Sequence, residues 1–99
     1  MSHFANEHWK ELAVEQAEDR LRYCNTMASA IDLIDAYQNM EENTQTRVMQ
    51  LLKIPKPKKS TWKHALRIND NYNKSSQVIK DEVVGHFAEV YYLDQWQHD

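Results

Sequence analysis

The sequence predicts an all-α protein, a single domain built as a compact bundle or orthogonal array of four to five helices. Three observations carry that expectation. Glycine occurs once, at Gly85, and the prolines are Pro55 and Pro57, whereas strand-rich domains need turn residues at short spacing. β-Branched residues are scattered and never alternate over a useful length, so the period-two signal of a strand is missing. Apolar residues instead recur three and four apart, which lines them along one side of a helix.

The first segment, 2–40, contains no helix breaker. Ser2 can cap it, and Trp9, Leu12, Ala13, Ala17, Leu21 and Cys24 form one apolar stripe. The stripe continues as Ala28, Ile31, Ile34 and Tyr37. A single helix over this length would extend about 55 Å at 1.5 Å per residue; the preferred reading is two helices divided at Asn25 and Thr26, both good N-cap types. Asn43 and Thr44 are the expected cap of a short helix that buries Val48, Leu51 and Leu52 and stops near Lys53, because Pro55 forbids continuation. The hinge that follows is extended and stiff, with two fixed φ angles. Ser60 or Thr61 caps the next helix, which carries Trp62, Ala65, Leu66 and Asn69. A turn is expected around 71–75, because the side chains of Asn69, Asp70, Asn71 and Asn73 compete for backbone groups. Ser75 or Ser76 then caps a last helix whose stripe runs through Ile79, Val83, His86 or Phe87, Val90 and Leu93. Gly85 is the oddity of that helix, costing about 1 kcal/mol relative to alanine, and close approach of another helix is its expected reason.

The 99 residues make one domain, 1–99, divided into an acidic helical region 2–53, a Lys/Pro hinge 54–60 and helices over 61–97. Apolar residues are 41% of the chain and mean hydropathy is -0.83, so the core is thin. A homodimer would bury more of it. Cys24 is the lone cysteine, and the first thirty residues carry charge throughout with no apolar run of the signal-peptide kind, so a cytoplasmic location is expected. No apolar run reaches the roughly 18 residues of a membrane span, so no membrane partner is expected.

Charge is distributed unevenly. Residues 1–52 carry nine acids and four bases, 53–74 one acid and seven bases, and 75–99 five acids and one base, giving -5, +6 and -4. Two readings follow for the middle segment. In one, Lys53, Lys56, Lys58, Lys59, Lys63 and Arg67 meet phosphates, with Trp62 among them as a stacking residue. In the other, the lysines solvate an exposed connector and Trp62 points into the core. A helix-turn-helix over 46–73, with Lys63, His64 and Arg67 on its second helix, is the sharper form of the first reading. Its turn, however, would be six or more residues with two prolines rather than the usual three or four.

Catalytic patterns are weak. Asp81, Glu82, His86 and Glu89 share one helix region, but a single helix aims too few ligands at a metal. His3 and His8 lack zinc-helix spacing. Cys24 lies on the apolar stripe, where a thiol behaves as a small hydrophobe. One glycine cannot build a phosphate loop. The sequence thus predicts no enzyme, metal or cofactor. Tyr91, Tyr92 and Trp96 cover more than one helical face, so some of them are expected on a partner-binding surface, Tyr and Trp being the common hot-spot types. The expected function is a non-enzymatic regulatory, adaptor or inhibitor protein that binds another protein, with a homodimer as one form of that. The alternative is nucleic-acid binding through Lys56, Lys58, Lys59, Lys63 and Arg67.

Overall fold

A computed structural model describes the backbone of residues 3–97 and the side chains of residues 7–94. Ser2 and the side chains of His3 and Trp96 lie outside the described residues. Five α-helices follow one another: α1 His3–Arg22, α2 Met27–Gln38, α3 Glu42–Leu52, α4 Trp62–Lys74 and α5 Gln77–Gln97. No strand occurs among the described residues. The all-α expectation is met, with five helices.

The first two helices are separate. Ala13, Ala17 and Leu21 of α1 are fully enclosed, and Cys24 continues their line just beyond it. Residues 23–26 leave the helix. Thr26 then takes an extended conformation, and its Oγ1 accepts the Ser29 amide at 3.0 Å, satisfying one of the orphan donors of a helix start. The interruption also turns the apolar stripe. Ala28 and Ile31, expected inside, are exposed, whereas Ile34 and Tyr37 of the expected stripe are buried, joined by Ala30, Leu33 and Ala36. A stripe read across a non-helical break loses its phase, because those residues do not advance by 100° each.

Helix α3 starts at Glu42, ahead of the expected Asn43–Thr44 cap, with Glu41 at the N-cap position making no side-chain bond. Glu42 in the first turn is favourably placed for the helix dipole, and the Gln45 amide bonds the Glu41 carbonyl at 2.9 Å. The helix ends as the hinge requires. Lys53 adopts φ 59°, the amide of Ile54 bonds the Met49 carbonyl at 3.0 Å, and that of Lys53 bonds Gln50 at 3.2 Å. This is a Schellman closure, completed by the burial of both Ile54 and Met49. Pro55 follows at once. Lysine is an unusual occupant of a left-handed position, where the Cβ costs roughly 1–2 kcal/mol. Lys53→Gly removes that strain but adds backbone entropy of about 0.5–1 kcal/mol. A small rise in unfolding midpoint is the expected net result; a fall would show that Lys53 makes a stabilising contact.

The turn expected at 71–75 is displaced. Helix α4 continues through Lys74 and the chain turns at Ser75 and Ser76. The asparagines remain helical because their amides serve other helix ends. Asn69 Nδ2 donates to the carbonyls of Leu21 at 2.7 Å and Arg22 at 3.0 Å, Asn73 Nδ2 donates to Arg22 at 3.2 Å, and Asn71 Nδ2 donates to Leu52 at 2.8 Å. The orphan carbonyls at the ends of α1 and α3 are thus capped from α4. Ser76 begins α5, its Oγ accepting the Ile79 amide weakly at 3.4 Å.

The most extensive helix contact joins α1 to α5, and α4 lies against both α1 and α2. Phe87, Leu21, Leu33, Met49, Ile68, Val48 and Val83 are the largest side chains that are fully enclosed. The Cα radius of gyration, 13.2 Å, equals the roughly 13 Å of a compact 100-residue domain. Gly85 corrects an expectation: it is exposed, and a Cβ built on it meets nothing within 4 Å. No helix presses on it among the described residues. Gly85→Ala is therefore expected to stabilise the fold by about 0.4–1 kcal/mol through the unfolded state, measured as a higher urea midpoint with unchanged slope.

Candidate functional site

The break between α1 and α2 and the hinge before α4 place two helix starts side by side. Cys24, Asn25, Thr26, Met27 and Ala30 form one wall of a surface groove of about 230 Å³, and Trp62 and Leu66 form the other. The groove is apolar for a physical reason. Residues 23–31 include no charged side chain, and on α4 the phase set by Thr61 turns His64, Ala65, Ile68 and Tyr72 inward. Trp62 and Leu66, one turn apart, are left outside. Leu66 was expected on the inward stripe, and Trp62 either in the core or outside as a stacking residue; Trp62 is 45% exposed and Leu66 40%. Met27 and Ile31, also one turn apart, are exposed by 57% and 51%. Other exposed apolar residues, such as Val14 and Val78, are single and ordinary, whereas these four lie on adjoining helices.

The basic segment borders this groove. Lys63 Nζ lies 5.7 Å from the centre of the Trp62 ring, within cation–π range. Lys58, Lys59, Lys63 and Arg67 are exposed, with no ion pair among the described residues. Lys56 differs, since its Nζ is held 3.7 Å from Glu42 and 3.2 Å from Thr46 Oγ1, back against α3. His64 also departs from the helix-turn-helix expectation, because it is buried and cannot reach a groove of DNA.

His64 instead anchors the hinge. Its Nδ1 lies 2.6 Å from Ser60 Oγ, its Nε2 lies 3.1 Å from Met49 Sδ, and the Tyr37 ring meets it edge-on at 4.8 Å. A serine–histidine contact is half of a hydrolytic triad, but here the second ring nitrogen faces a thioether rather than a carboxylate that would orient it. Burial, and then Arg67, lower the His64 pKa below its ordinary 6.5. The unfolded chain therefore binds a proton that the fold resists. The His64 contribution is complete above about pH 6.5 and is lost as pH falls through the folded pKa. In urea melts at pH 7.5 and 5.0, the midpoint is expected to differ less in His64→Leu than in the wild type. Equal differences would contradict the assignment.

The carboxyl-terminal aromatics divide. Tyr91, expected at a partner surface, is buried, and its hydroxyl donates to Asp32 Oδ1 at 2.7 Å. Arg20 Nε stands 3.4 Å from the same oxygen, so α1, α2 and α5 meet there. Burial, reinforced by Asp32, raises the Tyr91 pKa far above the ordinary value. Tyr92 is half-buried against the core, and Trp96 lies outside the described side chains.

The acid–histidine cluster of α5 is also structural in its contacts. Glu82 accepts from Arg47 Nε at 2.8 Å and Nη2 at 3.3 Å, which ties α5 to α3 and, with Arg47 as the leading cause, lowers the Glu82 pKa. His86 Nε2 is 3.7 Å from Glu82, too far for a hydrogen bond. No group of three His, Cys, Asp or Glu able to hold a metal occurs among the described residues. The Cys24 thiol is buried and its pKa raised by burial, which disfavours the thiolate a nucleophile requires. No described helix is long and apolar enough to cross a membrane.

These elements define an all-α bundle with an apolar, base-edged groove between α2 and α4, and a larger hollow of about 430 Å³ bordered by Leu51, Leu52 and Ile79 with Lys53 and Lys74. No family model matches the chain, and no curated protein or solved structure is significantly similar to it.

Proposed function

We propose that the chain is a non-enzymatic binding domain of the adaptor, regulatory or inhibitor type, which docks another protein on the α2–α4 groove. The observation that carries this reading is the adjacency of exposed Met27, Trp62 and Leu66 in one groove, with exposed Ile31 one turn along α2 from Met27, beside Lys63 and Arg67, which have no ion pair among the described residues. Interface centres are enriched in Trp, Met and Arg, and they bury apolar surface that an isolated chain leaves in water. Nucleic-acid binding is the second reading, favoured by exposed Trp62 next to Lys58, Lys59, Lys63 and Arg67. It ranks lower because Met27, Ile31 and Leu66 offer nothing to a sugar-phosphate backbone.

Hydrogen exchange on a purified complex tests the reading, using a partner trapped by crosslinking through Trp62-proximal positions and then prepared separately. Slowed exchange is expected over 24–31 and 62–67. Protection confined to 53–60, or to the end of α5, would contradict the groove as the docking site.

A further inference from the structure

We infer that the segment occupying the groove is an amphipathic helix of a partner protein whose apolar anchors are flanked by carboxylates. The inference rests on the docking reading above and adds the chemistry of the partner. The groove holds about 230 Å³, below the roughly 300 Å³ at which pockets enclose small molecules and enough for one or two inserted side chains. On the α4 side its wall is a short row with one-turn spacing, Trp62 and Leu66, and on the α2 side it is lined by Met27 and Ala30, with exposed Ile31 one turn along α2 from Met27. A helical ligand presents anchors at i and i+3 or i+4 with the same repeat of about 5.4 Å.

Charge selects among amphipathic helices. No acid lines the groove, and residues 23–31 are uncharged. Lys63 and Arg67 each follow a groove residue by one position, so they form a parallel row on the open side of α4. In a chain of net charge -3, five bases among the described residues are matched by an acid within ion-pair distance: Lys10 with Glu7, Arg20 with Asp19, Arg47 with Glu82, Lys56 with Glu42 and Lys74 with Asp70. Arg22, Lys53 and Lys80, which lie away from the groove lining, have no ion pair among the described residues. Lys63 and Arg67 have no such match, nor do Lys58 and Lys59 at the hinge end. A ligand with carboxylates along one flank would supply it, and Arg67 can hold a carboxylate with two parallel N–H bonds.

The test uses two fluorescent helix-stabilised peptides of about 16 residues, roughly 24 Å long, with the same apolar stripe. One is flanked by glutamates and the other by lysines. Anisotropy is measured with the wild type, Trp62→Ala and the double variant Lys63→Glu/Arg67→Glu. A DNA duplex and a single-stranded RNA serve as competing probes, and sedimentation reports self-association. Expected is at least about tenfold preference for the glutamate peptide, equal to about 1.4 kcal/mol. That preference should shrink between about 0.01 and 0.1 M ionic strength, where the screening length falls from about 30 to about 10 Å. It should reverse in the double variant, and binding should be lost in Trp62→Ala. Equal binding of both peptides, still lost in Trp62→Ala, would overturn the acidic-partner inference and leave the docking reading standing. Binding of neither peptide, binding of nucleic acid alone, or a dimer that Trp62→Ala dissociates would overturn the inference, the last by assigning the groove to a second copy.

Discussion

Phe87→Ala is expected to reduce the unfolding free energy by about 3–5 kcal/mol, the usual cost of emptying a large buried aromatic site. Phe87 is the largest of the fully enclosed side chains, on the helix that makes the most extensive contact with α1. A domain of this size is stable by only about 5–15 kcal/mol, so the variant should sit close to the unfolding threshold at room temperature. The sequence left His86 or Phe87 as the inward residue. The structure selects Phe87, with His86 at the edge beside Glu82. His86→Ala should therefore shift the urea midpoint far less than Phe87→Ala. Comparable shifts would mean that α5 is rotated by one position.

Asn69→Leu is expected to cost about 1–3 kcal/mol, because it removes the donor shared by the Leu21 and Arg22 carbonyls where these lack helical partners. The loss should be local at first. Amide exchange should quicken through the last turn of α1 and the 23–26 break before the midpoint of the whole fold moves. Asn73→Leu removes a longer, more exposed bond to Arg22 and should cost less. Since both donors meet at one carbonyl, the double variant should deviate from additivity. An Asn69→Leu protein as stable as the wild type, with unchanged exchange at the end of α1, would contradict the capping role.

The bundle was legible because helix-forming signals in this chain are local. Thr26 as a cap, Pro55 as a stop and the Ala13, Ala17, Leu21 stripe each act within a turn or two, and all three hold. The asparagines of α4 misled because their partners are 48, 19 and 51 residues away in sequence. A side chain that weakens an isolated helix can stabilise a folded one when another helix end supplies its acceptor. The groove was illegible for a related reason. Trp62 and Leu66 fit an inward stripe, as do Ala65 and Ile68 one position away in phase, and only the docking of α4 against α1 and α2 chooses between the faces. One available signal was the uncharged run 23–31. Phasing α2 afresh from Thr26 would have turned Met27 and Ile31 outward together.

The central claim is that the Trp62 row serves a partner rather than the core, and a single pair of measurements on Trp62→Ala tests it. Affinity for the docked protein is compared by calorimetric titration, and stability by thermal unfolding of the free chain. Expected is at least about 30-fold weaker binding, the loss of roughly 2 kcal/mol typical of a hot-spot tryptophan, with the unfolding midpoint unchanged. Unchanged affinity, or a midpoint that drops as a core truncation would make it drop, would contradict that claim.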